Sequence, residues 1–226
     1  MSIIIKFILK ILASLGIVPP QPQKRGLHKI DPSKVLASMP TVSADEIQFE
    51  LPTQKSFEGA PQFHEDEWCQ IEFFHKDRLG EIQETLHEYK AFEEKHRTKN
   101  GWREIYARRI KREIMVFGDN AITDLASSVD GKILPSPILT ITSSPLGQVK
   151  NGFSLDIATS VLLYGVNDIQ GINTLGAKFN SDGDNSKLAF LFIEIYKKYG
   201  LIMVDWPAQQ ILWSVSDDEN IRVWNP

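Results

Sequence analysis

Two Glu-x-x-His pairs, Glu84–His87 and Glu93–His96, carry the spacing that carboxylate-bridged di-metal proteins use to hold their ions. Those proteins set each pair on its own helix, facing a shared core. Here both pairs fall in one helical pattern, nine residues apart. At about 100° per residue, nine steps leave the pairs half a turn apart, so they cannot share a metal. His28, His64, His75, His87 and His96 show no pairing at three or four residues. With Cys69 as the single cysteine, no cysteine-rich zinc site can form. Asn180, Asp182 and Asp184 open like a calcium loop, but Asn185 stands where the loop needs glycine and Leu191 where it needs a bidentate glutamate. These side chains are expected to cap a helix, and no metal or other cofactor is expected.

Cys69 with His64 or His75 is the one nucleophile–base pair that sequence suggests. Cys69 alternates with Ile71 and Phe73 in a strand-like run from Glu67 to Phe74, so it is expected to be a small buried hydrophobe. Asp124, Asp130 and Lys132 match the acidic pair plus lysine of some metal-dependent nucleases, yet Asp130-Gly131-Lys132 reads as a turn where that chemistry needs a strand. Arg97, Lys99, Arg103, Arg108, Arg109, Lys111 and Arg112 interleave with Trp102 and Tyr106, the composition of a base-stacking, phosphate-neutralising surface. Ten acids precede them between Glu65 and Glu94, so intramolecular pairing is the simpler account. The net charge of -4 and pI near 5.8 also argue against nucleic-acid binding.

The elements that position these residues follow from periodicity and breakers. Ser2, Lys6, Lys10 and Ser14 draw one narrow polar stripe along an otherwise apolar helix at 1–18. It is too short and too charged to span a bilayer, which needs roughly 20 apolar residues. It fits a helix docked on its own domain or one lying on a membrane surface as a peripheral contact. Seven of the twelve prolines precede residue 62, so residues 19–61 are expected to form a Pro-rich arm or linker, with a helical turn at 33–38 and an edge strand at 46–51.

Residues 62–226 are expected to form one globular α+β domain, mixed in order, mainly antiparallel, with several helices. Leu79, Ile82, Leu86, Tyr89 and Phe92 predict a helix from Asp77 to about His96. Nine of the fourteen glycines lie between Gly118 and Gly200, in a stretch poor in charge, predicting short buried elements: helices at 120–129 and 154–164, the second closed by Gly165, and a strand at 138–142. A helix at 186–199 ends at Gly200, and strands follow at 201–206, 210–215 and 221–224, the last two joined by a polar hairpin.

An apolar share of 42% and one cysteine fit a globular protein of a reducing compartment, and the cytoplasm is expected, with membrane association through the first helix as a variant. No nucleophile elbow, phosphate loop or zincin helix is present. The expected function is therefore a non-enzymatic module that neutralises or chaperones a specific protein partner, as an immunity protein blocks a toxin. Its expected contact residues are the acids Glu65, Asp66, Glu67, Asp217, Asp218 and Glu219, with Trp68 and Trp224 as aromatic anchors. The alternative is a hydrolase or metal-dependent nuclease whose site is assembled from residues distant in sequence.

Overall fold

The computed structural model of the chain describes residues 36–142, 144–158, 161–179 and 185–226. The helix expected at 1–18, the arm before residue 36 and the Asn180–Asp184 loop lie outside the described residues. What is described is mixed α+β, with four helices and mostly antiparallel strands.

A nine-stranded sheet forms the frame. Its strands are β1 (Ile71–His75), β2 (Val116–Phe117), β3 (Lys132–Leu134), β4 (Gly152–Ala158), β5 (Val161–Asn167), β6 (Gly171–Phe179), β7 (Leu201–Asp205), β8 (Gln210–Val215) and β9 (Ile221–Trp224). The spatial order is β9-β8-β7-β1-β6-β5-β4-β3, with β2 paired to one end of β6. Every neighbouring pair is antiparallel. The strand earliest in the chain, β1, is thus inserted at the centre, between β6 and β7.

Period-two alternation sends successive residues of the central strands to opposite faces. Phe73, Leu201 and Met203 pack with helix α2 (Ala121–Ser128) and helix α3 (Asn185–Tyr199) through Leu125, Leu191 and Ile195. Phe74, Ile202, Val204 and Ile211 face the other way, onto Ile82, Leu86 and Tyr89 of helix α1 (Leu79–His96). On the β5 side, Tyr164 is instead covered by a small second sheet built from Gln62–His64, Ile138–Ile141, Ser144–Val149 and Phe49–Glu50. Between α1 and this small sheet runs a seam, crossed by Thr41–Ser43 pairing in parallel with Tyr106–Arg108.

Two expectations are corrected. The helix expected at 154–164 is the β4–β5 hairpin, because Phe153 and Leu155 alternate with Ser154 and Asp156 across the sheet. Gly165 does not close a helix: a Cβ there would lie 1.8 Å from Thr174 O, so glycine lets β5 and β6 meet. The strand expected from Glu67 starts only at Ile71, since Glu65–Glu67 form a single 3₁₀ turn and Cys69 sits at φ 55. That left-handed backbone is held from both sides, the Cys69 N–H by Tyr164 Oη at 2.9 Å and its carbonyl by Arg108 Nη2 at 2.7 Å.

Candidate functional site: one end of the main sheet

Strand register decides which expected contact residues can act together. Leu201 pairs with His75 and Asp205 with Ile71, while Asp205 also pairs with Gln210. The β8–β9 hairpin carrying Asp217, Asp218 and Glu219 therefore emerges at the His75 end. Glu65, Asp66 and Glu67 precede Ile71 and lie at the opposite end. The length of β1, at about 3.3 Å per residue, separates the two acidic groups, so they do not form one patch.

At the Ile71 end the acids are partly engaged. The Glu67 carboxylate pairs with Lys178, and Asp66 lies 3.4 Å from His64 Nδ1. Trp68 is buried at 2% exposure in an aromatic cluster with Phe63 and Tyr164, so it belongs to the core and not to a surface. Trp224 is half-buried and meets His87 edge-on at 5.3 Å.

The His75 end is built differently. In the β8–β9 hairpin, Ser216 Oγ accepts from Asn220 N at 3.1 Å. The Asp218 carboxylate accepts from the Ser216 hydroxyl and the Asn220 amide, contacts that hold its pKa below the ordinary aspartate value. Glu219, at φ 63, is tethered to Lys197 of α3 at 2.6 Å. The acids are exposed, yet the turn that carries them is locked.

Four strands across, at roughly 19 Å by ordinary strand spacing, the β5–β6 turn emerges at the same end. Asp168 Oδ1 accepts from Gln170 N at 2.7 Å and Gly171 N at 3.2 Å, and Oδ2 accepts from Asn173 Nδ2 at 3.1 Å. This fixed turn holds up Ile169 at 93% exposure. Phe117 of β2, opposite Gly171 in register, is also exposed, at 71%. An isolated exposed hydrophobe is ordinary, but two neighbours on a hydrogen-bonded scaffold make a preorganised apolar knob. Neither residue is marked by a local pattern in the sequence. Asn167-Asp168-Ile169-Gln170-Gly171 carried the turn signal, but the pairing of β2 with β6 is a long-range fact.

The remaining candidate chemistries are absorbed by structure. Glu93 accepts from Trp102 Nε1 at 3.2 Å, and His96 stacks on Phe92 with ring centroids 4.2 Å apart. Burial pushes the Cys69 thiol pKa well above its ordinary value, with Glu72 adding to the effect, so the thiolate form is disfavoured. Among the described residues, no three His, Cys, Asp or Glu side chains converge to hold a metal ion.

Two of the seven basic residues turn inward. Arg108, at 2% exposure, and Arg112 enter the seam beside Glu72, itself at 1%. Arg112 Nη1 donates to Glu72 Oε2 at 2.7 Å and Arg112 Nε to Asp45 Oδ1 at 2.9 Å, while Nη2 closes a bidentate pair with Asp45 Oδ2. Burial alone would lower the Arg112 pKa, but Glu72 and Asp45 outweigh it and the net shift is upward. Arg108 donates to Thr41 Oγ1 at 2.8 Å and lies 4.8 Å over the Trp206 ring. Here burial prevails over Glu72, and its pKa is lowered. No family model, curated protein or solved structure matches this chain.

Proposed function

We propose that this chain is a non-enzymatic protein-binding module that neutralises or chaperones one specific protein partner in the cytoplasm, in the manner of an immunity protein blocking a toxin. The observation that carries the reading is the pairing, at one end of a rigid sheet, of a locked apolar knob with a locked acidic hairpin. Ile169 and Phe117 supply anchors whose ordering cost is already met by the fold. Asp217, Asp218 and Glu219 supply negative charge that steers association with a basic surface. Both features fit within one footprint of ordinary size, roughly 800 Å² per partner. A basic catalytic groove with an apolar socket is the complementary shape.

The test is a tagged pull-down of the full chain from its own organism's lysate, read by mass spectrometry. Ile169→Asp and the double variant Asp217→Lys/Asp218→Lys are run in parallel, with circular dichroism to confirm folding. One stoichiometric partner, retained by the parent chain and lost from both variants, supports the reading. A purified protein that turns over a substrate and retains no partner overturns it in favour of a hydrolase or nuclease. A partner captured equally by all three chains moves the interface away from this end.

A further inference from the structure

A cleft of about 310 Å³ lies beneath residues 45–48. Asp45, Glu46, Ile47 and Gln48 form one wall, Val166, Asn173 and Thr174 of the main sheet another, and Val149–Asn151 a third. Its size is at the small end of ligand cavities, about 300–1,000 Å³, and its lining is mixed, four apolar side chains among nine polar or charged ones. Ile47, Trp68, Val149 and Val166 supply one apolar patch in it, and Arg112 borders the same cleft. Arg112 also borders two further cavities.

The wall made by residues 44–48 has no regular secondary structure. Its backbone is tied at the two ends, Ala44 N to Arg108 O at 2.9 Å and Lys150 N to Gln48 O at 2.8 Å. Between those ties, Asp45 grips Arg112 through both carboxylate oxygens. The charges facing the grip are Arg108 and Glu72 on the inner side, with Glu46, Lys150 and Asp168 at the rim. Asp168 is already bonded within its own turn. On the inner side two guanidinium groups balance two carboxylates. Withdrawal of Asp45 leaves one net positive charge on the inner side and frees the Nε–Nη2 edge of Arg112, a planar fork shaped for another carboxylate.

We propose that this cleft binds a small molecule with an apolar body and one carboxylate, and that Asp45 occupies the carboxylate position until the ligand displaces it. Residues 44–48 then act as a strap that the ligand loosens. The inference rests on the cleft alone and is independent of the protein-binding reading.

Sodium butyrate serves as the probe, with sodium acetate as a shorter acid and sodium chloride at matched ionic strength as control. In Asp45→Ala, butyrate is expected to raise the thermal midpoint above the chloride value, and acetate to raise it less. Its apparent affinity is expected to be at least about tenfold tighter than in the parent chain, where Asp45 competes. Asp45→Asn, which keeps the shape and removes the charge, is measured alongside in case the alanine variant does not fold. Adding Arg112→Lys to either variant is expected to abolish the response, because lysine offers no fork. In the parent chain, saturating butyrate is expected to speed hydrogen exchange at the 44–48 amides. The proposal is overturned if neither Asp45 variant responds more than the parent, if Arg112→Lys leaves the response intact, or if exchange at 44–48 is unchanged.

Discussion

The indole N–H of Trp206 donates to Glu72 Oε1 at 2.6 Å, joining residues 134 positions apart inside the seam between α1 and the small sheet. The other Glu72 oxygen is taken by Arg112, and Arg108 Nε stands 3.8 Å away. One buried carboxylate thereby ties β1, the turn after β7 and the 106–112 segment together. Glu72→Gln places an amide N–H₂ against cations and leaves buried charge uncompensated. Loss of a buried partner of this kind costs about 3–5 kcal/mol. Urea unfolding should show a drop of that size, with the m-value preserved.

Alkaline stability should reflect Cys69. In the folded chain its thiol stays protonated well above 9.0, whereas the unfolded chain releases that proton near its ordinary value. The unfolded state then binds fewer protons, so stability falls as pH rises above about 9, by about 1.4 kcal/mol per pH unit per group. Tyr89 and Tyr106, both pushed up to about 12 chiefly by burial, extend the fall above pH 10, the half-exposed Tyr106 by less because solvent screens it. Unfolding of Cys69→Ala across pH 8–10 should show a shallower slope than the parent.

Asp205 gives an effect in acid. Burial raises its pKa above 3.8, and the Ala208 N–H, 2.9 Å from Oδ1, pulls the other way without prevailing. A raised carboxyl pKa contributes stability below the unfolded value, and that contribution is lost as pH rises through the folded value. Asp205→Asn keeps an acceptor for Ala208 and has no charge to bury. It should match or exceed the parent's stability at pH 7, and the advantage should vanish at pH 3.

The β5–β6 turn separates structure from function at adjacent residues. Asp168→Ala removes three hydrogen bonds that shape the turn and should cost about 1–2 kcal/mol. Ile169→Asp touches nothing inside and should change stability by no more than about 0.5 kcal/mol. If partner capture falls for both while only Asp168→Ala is destabilised, presentation of Ile169 is what the turn provides.

Gly165 sets a steric limit. A methyl group there would meet the Thr174 carbonyl at 1.8 Å, a backbone atom that moves only with its strand. Gly165→Ala should cost roughly 3 kcal/mol, the upper part of the usual overpacking range. Thermal unfolding measures it directly.

Local spacing was enough for α1, α2, α3, the Ile138–Ile141 strand, β7, β8, β9 and the acidic hairpin. Each announces itself within a window of about ten to fifteen residues, by apolar period and by breakers at its ends. The Phe153–Gly165 stretch was misread because short apolar runs do not distinguish strand from helix, and the deciding neighbours, Leu134 and Thr174, lie elsewhere in the chain. Of the candidate site, the acids of the β8–β9 hairpin were legible from their run of charge. Ile169 and Phe117 were not, since a hydrophobe in sequence gives no sign of exposure until its strand has found a partner.

The α+β character, the C-terminal meander and the exposed acidic turn are written in local sequence, because they depend on contacts between near neighbours. The entry of β1 at the centre of the sheet, the inward turn of Trp68 and Arg108, and the placement of the two acidic groups at opposite ends come from long-range packing. Those outcomes follow from pairing across tens of residues to more than a hundred, where register and burial are chosen by partners that no local pattern names.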